Sequence, residues 1–172
     1  MLLSMGLARL SLCAGFLLPV LAQPQATPPS LLRKSPVMTR HAAGSFDVKT
    51  SPLPGDDATA STLIGRYALI KQFRGDLEAA SKGEMLATGD PSTGSAGYVA
   101  IEQVTGTLAG HTGSFALQHI GAMDKGNLML TVAVVPGSGS GELTGLAGTM
   151  IIRNESGKHS YEFEYTLAAA AQ

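Results

Sequence analysis

Beyond about residue 44, apolar and polar residues alternate with a period of two, the spacing that sends successive side chains to opposite faces of a β-strand. The alternation is cleanest near the end of the chain. There His159, Tyr161, Phe163, Tyr165 and Leu167 share one face, against Ser160, Glu162, Glu164 and Thr166 on the other. Phe46, Val48 and Thr50 alternate in the same way with Ser45, Asp47 and Lys49. Over residues 64–74, Tyr67, Leu69, Lys71 and Phe73 form one row, so Lys71 stands in an otherwise apolar face. Residues 77–87 place Leu77, Ala79 and Met85 opposite Glu78, Lys82 and Glu84. Good helix formers occur there, but Gly83 in the middle and strands on both sides favour β. Two more strands, 96–108 and 113–123, flank a glycine-punctuated turn, and in the second Phe115, Leu117 and His119 lie opposite Gln118. Residues 128–135 are apolar on both faces, as expected of a strand covered on both sides or lying in an oligomer contact.

Turn chemistry supports the same reading. Asp124-Lys125-Gly126-Asn127 is a tight turn, Ser51–Asp57 is a loop by its prolines and acids, and residues 136–141 form a glycine-rich loop. The spacing Gly106-x-Leu108-x-Gly110-x-x-Gly113 recurs as Gly141-x-Leu143-x-Gly145-x-x-Gly148, which suggests a fold of repeated hairpins. With the short segment 150–153, eight strands and no convincing helix are predicted. Such a chain forms an all-β domain, an antiparallel sandwich or a closed antiparallel eight-stranded barrel, and closure favours the barrel because it removes the exposed sheet edges. A lumen of that size is either packed solid or holds one small ligand.

The first 43 residues lack this pattern. A single charge at Arg9, an apolar run over residues 10–21 and small residues at Val20 and Ala22 read as a secretory signal peptide over residues 1–22. The run is too short to span a bilayer, and the expected location is secreted or periplasmic. Leu12 precedes Cys13 where a lipoprotein signal would have a small residue, which argues against lipidation. Residues 23–43, rich in Pro, Gln, Ser and Thr, read as a flexible leader, residues 44–167 as the barrel domain, and residues 168–172 as a disordered tail. Cleavage after Ala22 would leave 150 of the 172 residues and remove Cys13, the only cysteine, so burial and hydrogen bonds alone must hold the fold. The mature chain would carry 11 basic and 13 acidic side chains, a net charge of −2 with no basic run, which gives no footprint for nucleic acid.

Four runs, in order, carry a resemblance: Lys71–Leu86, Gly94–Met123, Val134–Met150 and Gly157–Leu167. Together they resemble the bacterial family known as domain of unknown function 3224, over nearly all of residues 44–167. The resemblance implies a barrel of the allene oxide cyclase type, a relative of the lipocalin-like barrels, with no settled reaction. The family's characteristic positions fall on Glu84, Tyr98, Glu102, Phe115, His119, His159, Tyr161 and Tyr165. His111 stands where the family often has an arginine.

His119 and His159 lie on apolar strand faces, as core histidines satisfied locally or as part of a lumenal polar cluster with Tyr98 or Tyr161. Their spacing matches no metal motif, zinc is only a weak alternative, and no cofactor is implied. Glu102 shares a face with Tyr98 opposite Val99 and Ile101, which places it outside if those aliphatics fill the core. Glu84, with Glu78 and Lys82, has the same difficulty, and a bulge near Gly83 or Gly97 would reverse either assignment. Turned inward together, Glu84 and Glu102 would form a close carboxylate pair suited to acid–base work, with Lys71 as counter-ion. Three functions follow. The first is binding of a small, mostly apolar molecule in the lumen, with Tyr98, His119, His159, Tyr161 and Lys71 as contacts. The second is an isomerase-like or acid-peptidase-like enzyme using Glu84 and Glu102, and the third a structural domain that forms a homo-oligomer. Asn154-Glu155-Ser156 is a glycosylation sequon of the kind common by chance.

Overall fold

The computed structural model describes residues 38–54 and 63–167. The expected signal peptide, most of the expected leader and the expected tail lie outside these residues. Eight strands form the wall: β1 (Thr39–Pro52), β2 (Gly65–Gly75), β3 (Leu77–Asp90), β4 (Ser95–Leu108), β5 (His111–Asp124), β6 (Asn127–Val134), β8 (Ala147–Glu155) and β9 (Lys158–Thr166). Between the last of the hairpins lies β7, only Ser140–Gly141. All pairings are antiparallel; β9 returns to β1 and β4 pairs with β5, so the sheet closes into a barrel with no free edge. A single 3₁₀ turn, Pro91–Thr93, is capped by the Asp90 carboxylate, which accepts from the Ser92 N–H at 2.8 Å. No helix of the described residues is long and apolar enough to cross a membrane.

Local sequence explains the hairpins. Ala109-Gly110, Lys125-Gly126 and Ser156-Gly157 each turn the chain with two residues at positive φ, the geometry whose twist matches that of the strands. The helix formers of β3 are overridden by pairing on both sides, with β2 and β4. β1 starts at Thr39, earlier than the expected boundary at residue 44, because residues 39–43 pair with Glu162–Thr166 of β9. The second glycine motif is a correction too. Its residues do not make another long hairpin: Ser140 and Gly141 pair with Ser114 and Gly113 of the first motif, and the following turn drives Leu143 and Leu146 into the barrel as a plug.

That plug fixes where the core sits. Phe73, Leu77, Leu108, Phe115, Leu143, Leu146, Tyr161 and Phe163 are all within 2 % of complete burial and fill one end of the lumen. Their rings stack or meet edge-on, Phe73 with Tyr161 at 5.7 Å and Phe115 with Phe163 at 6.0 Å. Each such side chain contributes about 2 kcal/mol by leaving water. The other end, at the β3–β4 connection and the β5–β6 turn, is left unfilled.

Candidate functional site

Between the packed end and the unfilled end lies a layer of charge. Cross-strand partners share a face, so the register decides what points inward. Glu102 stands opposite Leu117 of β5 and Gly83 of β3, and Leu117 belongs to the core; Glu102 is therefore lumenal and fully buried. Val99 and Ile101 do not fill the core but face outward at about half exposure, so the condition that would put Glu102 outside is not met. No bulge is needed, for β3 and β4 pair without interruption from Leu77–Leu108 to Asp90–Ser95.

Four side chains meet here. Lys71 Nζ donates to Glu102 Oε1 at 2.7 Å, Ser81 Oγ donates to Oε2 at 2.6 Å, and His119 Nε2 lies 2.9 Å from Oε1. All four residues are at least 95 % buried. Burial alone would raise the Glu102 pKa. The His119 hydrogen bond, the Lys71 charge and hydrogen bond, and the Ser81 hydroxyl outweigh it and hold the carboxyl at about 2. For Lys71 burial is the larger influence and lowers its pKa against the pull of Glu102, its one carboxylate partner. The ammonium also lies 5.2 Å from the Phe46 ring centroid and 5.8 Å from that of Phe73.

Above this layer, toward the unfilled end, is a pocket of about 350 Å³. Tyr67, Met85, Ala87, Tyr98, Met123 and Leu128 give it a mostly apolar lining. Gly121 stands directly opposite Tyr98, and a Cβ at Gly121 would fall on the Tyr98 ring; the missing side chain is what seats that ring. Burial raises the Tyr98 pKa, and the negative charge of Glu102 below raises it further.

The candidate residues thus separate into three places. Lys71, Glu102 and His119 come together, and Tyr98 lines the pocket above them. Tyr161 belongs to the packed end, where its hydroxyl accepts from the Leu77 N–H at 2.9 Å and donates to the Arg74 carbonyl at 3.3 Å. His159 packs against Phe46 with the rings tilted by 32° and their centroids 5.1 Å apart, and no hydrogen bond among the described residues ties it to the cluster. Glu84 is on the outer wall, bound to Arg66 at 2.7 Å with its side chain 56 % exposed. The inward-facing pair of Glu84 and Glu102 is not formed: adjacent register positions put Gly83 inside and Glu84 outside. Ser81 went unnoticed in the sequence although it falls in the row of Leu77 and Ala79. Among the described residues no three His, Cys, Asp or Glu side chains gather as a metal site.

Comparison with known proteins agrees with this architecture. A family model described as a protein of unknown function, DUF3224, matches residues 42–165. A crystal structure of a protein of unknown function from that family, from Shewanella oneidensis MR-1, superposes with a TM-score of 0.69 at 51% sequence identity. The match covers 77% of this chain and 100% of that one. Among curated proteins no match is found.

Proposed function

This chain belongs to the DUF3224 family, whose description assigns no function, and within it we propose an exported β-barrel that binds a small, mostly apolar molecule at its open end. One observation carries the reading: the lumen is solid at one end and hollow at the other, with an apolar pocket of about 350 Å³ in the hollow. That volume is at the lower end of small-molecule sites, and its lining has the usual mix of apolar walls and a few hydroxyl groups. Export rests on the pattern of residues 1–22. Native mass spectrometry of protein from the exported fraction, compared with its denatured mass, tests both parts. The reading expects a chain beginning at Gln23 and carrying an added mass that denaturation removes. A clean apo mass together with no uptake of any apolar probe would overturn the binding reading.

A second reading is favoured by the outer wall. Leu86, Val99 and Ile120 stand directly opposite one another on β3, β4 and β5, with Ile101 beside them, and all four are about half exposed. A row of this kind marks a protein contact surface. Light scattering in solution tests it: self-association should weaken in Val99→Lys, and a strictly monomeric mass would count against it.

A further inference from the structure

The pocket at the open end holds two hydrogen-bonding groups that the fold does not use. Among its lining residues only Tyr67, Thr88 and Tyr98 carry a polar side-chain nitrogen or oxygen, and Thr88 alternates outward between the inward Ala87 and Gly89. The Tyr67 and Tyr98 hydroxyls make no hydrogen bond among the described residues. Both side chains are half-buried, and no enclosed side-chain nitrogen or oxygen of the described residues lacks a partner, so both hydroxyls open onto free space. Register brings them to one level. Gly65, Ala87, Tyr98 and Gly121 are successive partners across β2 to β5. A Cβ on Gly65 would lie 2.7 Å from the Tyr67 hydroxyl oxygen, so the Tyr67 ring runs back along β2 and its hydroxyl stands at this row. The Tyr98 ring leans the other way, over Gly121. The row's other three positions carry at most a methyl group, which leaves the space between the two phenols clear.

Chemistry decides what these groups ask of a ligand. A phenol donates more readily than it accepts, because its ring draws on the oxygen lone pairs, and burial together with the charge of Glu102 keeps the proton on Tyr98. No charged side chain lines the pocket, so an ion entering it would shed its water with nothing to replace it. A neutral oxygen with two free lone pairs answers two O–H donors, and a carbonyl supplies one. From this we infer that the pocket takes a small apolar molecule bearing an uncharged carbonyl group, a ketone, aldehyde or ester, whose oxygen accepts from the Tyr67 and Tyr98 hydroxyls. This rests on the pocket reading above and gives its ligand a chemical class.

Matched probes test the idea on the full mature protein. Propiophenone and propylbenzene share a carbon skeleton and differ only in the carbonyl oxygen. Their affinities are read by NMR titration of the Gly121 amide, and the ratio of the two is compared between proteins, which cancels the unequal solubility of the probes. Tyr98→Phe and Tyr67→Phe each keep the ring and remove the hydroxyl. Either should lower the ketone-to-hydrocarbon ratio roughly five- to tenfold, the effect of one neutral hydrogen bond, while propylbenzene binds as before. Should the variants fail to fold, the infrared carbonyl stretch of propiophenone bound to the wild type gives the same answer, standing below its frequency in alkane. A ratio that survives both substitutions, or a carbonyl stretch unmoved from its alkane value, overturns this inference and leaves the pocket standing. Binding of neither probe up to its solubility limit overturns the pocket reading and this inference with it.

Discussion

Lys71 and Glu102 meet across an intervening strand: Nζ lies 2.7 Å from Oε1 although β3 runs between β2, which carries the lysine, and β4, which carries the glutamate. The crossing works because β3 offers Ser81 and Gly83 at the inward positions between them. Ser81 adds a hydrogen bond, and Gly83 adds no side chain at all. A Cβ at Gly83 would lie 2.6 Å from Cα and Cβ of Glu102, closer than real Cβ atoms come. Gly83→Ala should therefore push Glu102 off its partners and destabilise the barrel by about 1–3 kcal/mol, as overpacking does. Urea unfolding measures this directly, and a variant as stable as wild type would show that β3 yields without cost.

The ion pair itself has an asymmetric energetic signature. A buried pair contributes little relative to apolar residues of the same shape, but one partner left alone is an uncompensated buried charge. Lys71→Met should lower stability by about 3–5 kcal/mol. Adding Glu102→Leu to that change should return part of the loss, so the double variant is more stable than the sum of the two single effects predicts. Denaturant midpoints for the four proteins of the cycle supply the coupling energy; strict additivity would mean that the two charges are not linked.

Much of this cluster's environment was legible in the sequence, and its orientation was not. The row of His159 to Leu167 and the row of Phe115, Leu117 and His119 are lumenal as their alternation implies, because in each the other face is polar or weakly apolar. β4 misleads for a physical reason. Its two faces are Tyr98, Ala100, Glu102 and Val104 against Val99, Ile101, Gln103 and Thr105, and the second begins with the larger aliphatics. Only register with β3 and β5 shows that a glutamate is inside and two aliphatics outside, and register is a relation between strands that alternation within one strand does not contain. The plug of Leu143 and Leu146 was hidden in the same way, since a repeated glycine spacing says where the chain turns and not which cavity the turn fills.

Acid should act on the fold through Glu102. Its carboxyl titrates at about 2 in the folded protein against an ordinary value of 4.5, so the folded state binds the proton less well than the unfolded one. The sign follows: this contribution is fully present above pH 4.5, declines as pH falls through the interval from 4.5 to about 2, and is gone below it. Its size is about 3 kcal/mol, given 1.36 kcal/mol for each pH unit of difference. Stability measured at successive pH values should fall across this window in the wild type and less steeply in Glu102→Gln. Parallel curves would assign the acid sensitivity to other carboxylates.

Glu84 provides the contrast that separates a lumenal carboxylate from a surface one. It is tied only to Arg66, with both side chains well exposed, and such pairs contribute less than about 1 kcal/mol. Glu84→Gln should leave the denaturant midpoint nearly unchanged, with any small effect screened by added salt, and should bind a small apolar probe as the wild type does. Glu102→Gln should fail on both counts, because it strips the anion from Lys71 and puts a donor amide nitrogen in place of one of the two oxygens that hold Lys71, Ser81 and His119. A loss of probe binding in Glu84→Gln equal to that in Glu102→Gln would mean that the outer wall takes part in the site, and would bring back a joint role for the two carboxylates.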